Sequence, residues 1–209
     1  GAYKVANVAG DGAKLKTVHK IGGTTTTTDY CGNVVYENGV QKLLLTEEGY
    51  VTLSDGKYHY YLKDHQGNNR VVINQSGTVE EANHYYPFGG VFASTGNTQP
   101  YKYNGKELDA KKGLNWYDYG VRMYDAALGR FATVDPSAEN YFNTSLYAYC
   151  GNNPISRIDP TGADWYEDKQ GNLRWQEGSE ALKGYTNIGS SASIALGNDN
   201  YLNFYQNGG

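Results

Sequence analysis

Methionine occurs once in these 209 residues, proline five times and cysteine twice. A helical bundle would need far more Met, Leu and Ala, so that class is excluded. No run approaches the roughly 18 apolar residues of a membrane-spanning helix. Neither sign of charge dominates: 18 basic and 22 acidic residues are intermixed, for a net charge of −4. With no basic stripe, binding to nucleic-acid phosphates is not expected. The opening Gly1-Ala-Tyr-Lys is not a signal peptide, and the chain reads as a piece of something longer. Cys31 and Cys150 stand far apart with no CxxC spacing. They are expected as two buried free thiols rather than a disulfide or a metal pair.

What the chain has in excess is glycine, 27 residues and nearly twice the usual share of about 7 %, and tyrosine, 21 residues. That mixture suits an all-β fold of short antiparallel strands joined by tight glycine turns, with tyrosines keeping one ring edge wet. The 39 % of hydrophobic residues excludes a low-complexity chain.

The order of turns and strands follows from local signals. Gly10-Asp11-Gly12 marks a turn before a short amphipathic stretch, Lys14–His19, and Thr24–Thr28 fits either a strand or a loop. From Asp29 the rhythm is regular: Val34–Tyr36, Asn38-Gly39, Val40–Thr46, Glu48-Gly49, Tyr50–Leu53, Asp55-Gly56. Asn-Gly and Asp-Gly between apolar runs are strong hairpin signals, because both central residues need positive φ. The turn Asp64-His-Gln-Gly67-Asn68 recurs as Asp168-Lys-Gln-Gly171-Asn172, with a longer relative at Asp125–Gly129. The unit is a Tyr-containing strand, an Asp that caps the turn, a left-handed Gly and a second strand. Pro136–Asn140 and Thr144–Cys150 read as one or two short helices. A boundary is placed near Gly162. Beyond it come a hairpin over Asp164–Trp175, a helical turn over Glu177–Lys183, and strand faces at Ala192/Ile194/Leu196 and Leu202/Phe204.

Few residues suggest chemistry. His19, His59, His65 and His84 lack ligand spacing, Gly105-Lys106 lacks the upstream glycine of a phosphate loop, and no Gly-x-Ser-x-Gly elbow occurs. No metal site and no cofactor is expected. Two carboxylates brought together can share a proton and drive water onto a carbonyl, and a guanidinium beside them can hold one ionised. Arg122, Asp135 and Asp159 are the candidates. On spacing alone the bland reading is better, since both aspartates precede prolines, where Asp caps turns. Exposed Tyr and Trp could also stack on carbohydrate, although such rings more often form core and ladder contacts.

A family resemblance adds to this. Tyr60–Arg70, Tyr85-Tyr-Pro-Phe-Gly89, Tyr101–Glu107, Gly120–Asp125, Gly129-Arg-Phe131, Asp135-Pro136, Tyr147-Ala-Tyr149, Asn152-Asn-Pro154 and Asp159-Pro-Thr-Gly162 follow one another. In that order they strongly resemble the RHS repeat-associated core of RHS/YD-repeat proteins, in the form found in Bacteroides-type bacteria and related to toxin-complex C components. The resemblance implies residues 1–28 as the end of a preceding YD repeat, 29–162 as the core and 163–209 as a variable tail. It implies a curved antiparallel sheet that closes into a hollow shell around a C-terminal effector. It also implies that Arg122, Asp135 and Asp159 form a self-cleaving aspartyl protease cutting Ala163–Asp164. Two departures stand out: the Asp135–Asp159 interval is about one residue longer, and Ala163 replaces the family's Leu or Met.

The expected function is therefore a shell segment of a polymorphic-toxin-type protein, secreted or at the cell surface, with no external substrate turned over. Its partners would be the rest of the shell, an effector and an immunity protein, with no nucleic acid and no membrane span. The alternative is a non-enzymatic cell-surface recognition module that binds carbohydrate or a partner protein through exposed Tyr and Trp. A tail acting as a small effector ranks last.

Overall fold

A computed structural model describes residues 2–8, 14–136 and 145–159, and the strand segments 166–168, 173–174, 185–187, 192–197 and 200–204. The fold is all-β and antiparallel in every register given below. Ten strands make one sheet in which each bonds to its neighbour in sequence. They are β1 (Ala2–Val8), β2 (Lys14–Ile21), β3 (Thr24–Cys31), β4 (Val34–Glu37) and β5 (Val40–Thr46), then β6 (Gly49–Thr52), β7 (Lys57–Lys63), β8 (Asn69–Asn74), β9 (Val79–Tyr85) and β10 (Val91–Thr95). Four more, β11 (Glu107–Asp109), β12 (Trp116–Asp118), β13 (Met123–Asp125) and β14 (Arg130–Phe131), form a second sheet.

The turns carry this order. Asn38 and Gly39 both have positive φ, 52° and 79°, as a two-residue hairpin between right-twisted strands requires. Asp64 caps its turn as expected: Oδ1 accepts the Gln66 and Asn68 amides at 3.0 and 3.1 Å, and Gly67 is left-handed. Asp125 does the same for Ala127 and Leu128. Gly49 is needed for a different reason, because a Cβ there would lie 1.9 Å from the His59 carbonyl oxygen on the neighbouring strand.

Several expectations are refined or corrected. Thr24–Thr28 is strand, not loop, and Asp29 lies inside β3, opposite Lys16 and Tyr36. Cys31 and Cys150 are both free, but only Cys150 is buried; Cys31 is the last residue of β3, whose ends are exposed. No helical turn is present at 145–149. A tight turn comes instead at Cys150–Asn152, where all three residues have positive φ (50°, 56° and 61°), and shorter left-handed stretches recur within Tyr103–Gly105 and Lys111–Gly113. Of Pro136–Asn140 only Pro136 is described, and Glu177–Lys183 lies outside the described residues. In the tail, Tyr166–Asp168 pairs with Leu173–Arg174, and Ala192–Gly197 with Asn200–Phe204, on the segments anticipated.

The chain divides into two compact units. One comprises Gly1–His84, Val91–Gly105 and Ala110–Leu114; the other comprises Tyr85–Gly90, Lys106–Asp109 and Asn115–Gly209. The first buries Val35, Tyr50, Val51 and Val72, together with a polar group around Glu81 and Lys102. The second is built on rings: Tyr117, Tyr119, Tyr124, Phe131 and Tyr149 are each 2 % exposed or less. Tyr119, Tyr124, Phe131 and Tyr149 meet edge-on or tilted, with centroids 4.3 to 5.7 Å apart. Tyrosine can fill a core because each hydroxyl finds a partner. Tyr117 donates to the Gly89 carbonyl at 3.0 Å, Tyr124 to that of Phe88 at 2.8 Å, and Tyr119 and Tyr149 bond each other at 3.1 Å.

Candidate functional site

Arg122 sits in the tight connection between β12 and β13. The Tyr119 amide donates to the Arg122 carbonyl at 3.1 Å, and the Gly120 amide to Asp118 Oδ1 at 2.9 Å. This turn sends the arginine into the ring core, where its side chain is 2 % exposed and its guanidinium carbon lies 3.7 Å from the Phe131 ring centroid. Stacking on an aromatic face satisfies part of a buried guanidinium without using its N–H groups.

Asp135 follows β14 and is fixed by its backbone. Phe131 donates to the Tyr147 carbonyl at 2.9 Å and Asp135 to that of Leu146 at 2.9 Å, while Arg130 bridges Ala148. Asp159 ends the described core, with its side chain 5 % exposed. Its backbone N–H bonds the Cys150 thiol. Burial first, and then the Asp159 carboxylate, push that thiol well above its ordinary value. Cys150 is therefore protonated, and neither a nucleophile nor a ready metal ligand.

The three candidate residues come together. Arg122 Nη2 lies 2.8 Å from Asp135 Oδ2 and 3.6 Å from Asp159 Oδ2. The two carboxylate oxygens are thus no farther apart than the sum of those distances, 6.4 Å. A water between them would be within hydrogen-bond reach of both. Residues 160–165, with the Ala163–Asp164 bond, lie outside the described residues. Among the described residues no group of three His, Cys, Asp or Glu side chains could hold a metal, and no helix is long and apolar enough to cross a membrane.

Phe131 is a participant that the sequence does not announce, since nothing local shows that it underlies Arg122. His59, which belongs to the other unit and takes no part in this site, is held by Thr52 at 2.8 Å and Glu80 at 2.5 Å and stacks on Tyr50 at 4.4 Å. Its partners come from β6 and β9, so spacing along the chain could not reveal them.

No family model matches the chain. Salivary gland surface protein 1 of Aedes aegypti is 41 % identical over 112 residues, covering 52 % of this chain and 3 % of that protein. Toxin subunit YenC2 of Yersinia entomophaga is 38 % identical over 104 residues, covering 46 % of this chain and 10 % of the subunit. A chain in the crystal structure of TcdB2-TccC3 matches 76 % of this one, and 9 % of itself, with a TM-score of 0.63 at 21 % identity, a likeness of fold. The chain spans 3 to 10 % of the length of these relatives. Sheet, turns and motifs are together similar to those of RHS-type, all-β domains. The relatives that carry this likeness include toxin subunits.

Proposed function

We propose that this chain is the C-terminal core segment of an RHS/YD-repeat protein of polymorphic-toxin type, which helps enclose a C-terminal effector and cuts itself after Ala163. The observation that carries the reading is the meeting of Asp135 and Asp159 on one guanidinium nitrogen of Arg122. One carboxylate takes a proton from water, whose oxygen adds to the Ala163 carbonyl carbon. The other carboxyl protonates the Asp164 nitrogen as the C–N bond breaks. Arg122 limits repulsion between two carboxylates placed this close. Enclosure, an immunity partner and a secreted or surface location are part of the same reading. Of these, the location is supported by relatives named as a toxin subunit and a surface protein.

Intact-mass measurement of the incubated chain tests the cut. The expected products are a fragment ending at Ala163 and one beginning at Asp164. Asp135→Asn and Asp159→Asn should both abolish the cut, because an amide keeps the shape but cannot relay the proton. Ala163→Leu, which restores the family's residue, should accelerate it. Cleavage that persists in both Asn variants would remove the two aspartates from the mechanism.

A further inference from the structure

The first unit buries a second charged group that the site above does not use. Glu81 on β9 is fully buried, and Asn83, two residues on, is 2 % exposed. Lys102 is 3 % exposed and belongs to the segment that follows β10. Glu81 Oε1 accepts from Lys102 Nζ and also from Asn83 Nδ2, at 2.6 Å. The amine and the amide thus converge on one carboxylate oxygen. Asn83 Oδ1 in turn accepts the Ser94 hydroxyl at 2.7 Å, which draws electrons from the amide carbon. Glu81 Oε2 is anchored by the Thr98 amide at 2.7 Å.

A buried amine, a buried carboxamide with a polarised carbonyl and a carboxylate bonded to both are the groups needed for acyl transfer from amide to amine. We propose that Lys102 and Asn83 become joined by an isopeptide bond, formed by the folded chain with Glu81 as proton carrier. Glu81 takes a proton from the Lys102 ammonium, and the freed amine adds to Asn83 Cγ. The Cγ–Nδ2 bond then breaks, and the nitrogen leaves as ammonia after receiving a proton from Glu81, which next carries the second proton of the adding nitrogen to that ammonia. Ammonium and amide become a secondary amide and ammonium ion, so atoms and charge balance without water or an oxidant. Ser94 holds the oxygen while it carries negative charge.

The electrostatics set the pace. Burial lowers the Lys102 pKa, against the opposing bond to Glu81, so its proton leaves more readily than from a lysine in water. Burial would raise Glu81, but the bonds from Lys102 and then Asn83 outweigh it and hold the carboxyl low. Proton transfer to Glu81 is therefore the uphill step. The product would fasten the segment after β10 to β9 without any disulfide. Gln99 Nε2 also reaches Glu81 Oε1, at 3.2 Å, but Asn83 is nearer to the proton it needs as its nitrogen departs.

The test is mass spectrometry of the intact, folded chain, followed by digestion. The expected mass is ~17 Da below the sequence value, with a branched peptide joining Asn83 to Lys102. Lys102→Arg and Glu81→Gln should each restore the full sequence mass. A wild-type chain at full mass overturns the proposal. So does the same deficit with the two peptides separate, which a succinimide at an Asn-Gly pair would give. A branch at Gln99 overturns the choice of Asn83, and a deficit of ~18 Da with the branch at Glu81 overturns its role as proton carrier.

Discussion

The two units bury opposite chemistry. In the unit containing Glu81 and Lys102, a carboxylate and an ammonium lie in the interior among amides and hydroxyls. In the unit containing Arg122, the interior is a stack of tyrosines and one phenylalanine, with a single buried cation laid against a ring. A polar interior is exacting, because each group needs its partner and losing one strands another. A ring interior tolerates charge only where a ring face and a carboxylate meet the cation, as Phe131, Asp135 and Asp159 meet Arg122.

The largest effects should come from breaking each interior at its centre. Lys102→Met leaves Glu81 buried without the nitrogen that donates to it, and should cost about 3–5 kcal/mol in urea unfolding. Phe131→Ala should cost about the same through the cavity it opens, and should also release Arg122. A loss below about 1 kcal/mol in either variant would mean that its interior is not organised as described.

Next in size is a dependence on alkaline pH. The Cys150 thiol is pushed up by burial, so the folded chain keeps its proton while the unfolded chain loses it near the ordinary value of 9.0. A raised pKa gives stability that is complete below the unfolded value and declines as pH rises toward the folded one. Unfolding free energy should fall by about 1.4 kcal/mol per pH unit above 9 more steeply in wild type than in Cys150→Ala. Equal slopes would contradict the burial. Iodoacetamide at neutral pH should label exposed Cys31 and spare Cys150.

Smaller still, Tyr119→Phe removes one hydroxyl of the buried Tyr119–Tyr149 pair and should cost about 1 kcal/mol. The smallest effect belongs to the exposed rings. Tyr58 is 52 % exposed, and Tyr58→Ser should change stability by no more than about 0.5 kcal/mol. A larger loss would show that the outer face is packed in solution.

Much of the first sheet was legible because its turns need particular residues. Asn38-Gly39 and Asp64–Gly67 can hardly be anything but turns, and they set the strands on either side. The turn after Asn74 is marked by Gly77, and the Asn74 side chain accepts the Ser76 and Thr78 amides just as Asp64 caps its own turn. The Glu81–Lys102 group was illegible, since charges in an alternating segment read as solvent-facing until a later loop is known to cover them. The candidate site lay between these cases. Spacing made Asp135 and Asp159 turn caps, and only the family resemblance grouped them with Arg122. The structure brings all three together through the aromatic core, which no local pattern encodes.

A sheet whose ten strands follow sequence order also has a direction in time. Each strand needs only the one before it, so a chain emerging end-first from a ribosome or an export pore can add strands as they arrive. Nothing downstream has to thread back between strands already paired. The first unit would then wait for one later event, the arrival of Lys102 at Glu81, before its interior could become dry.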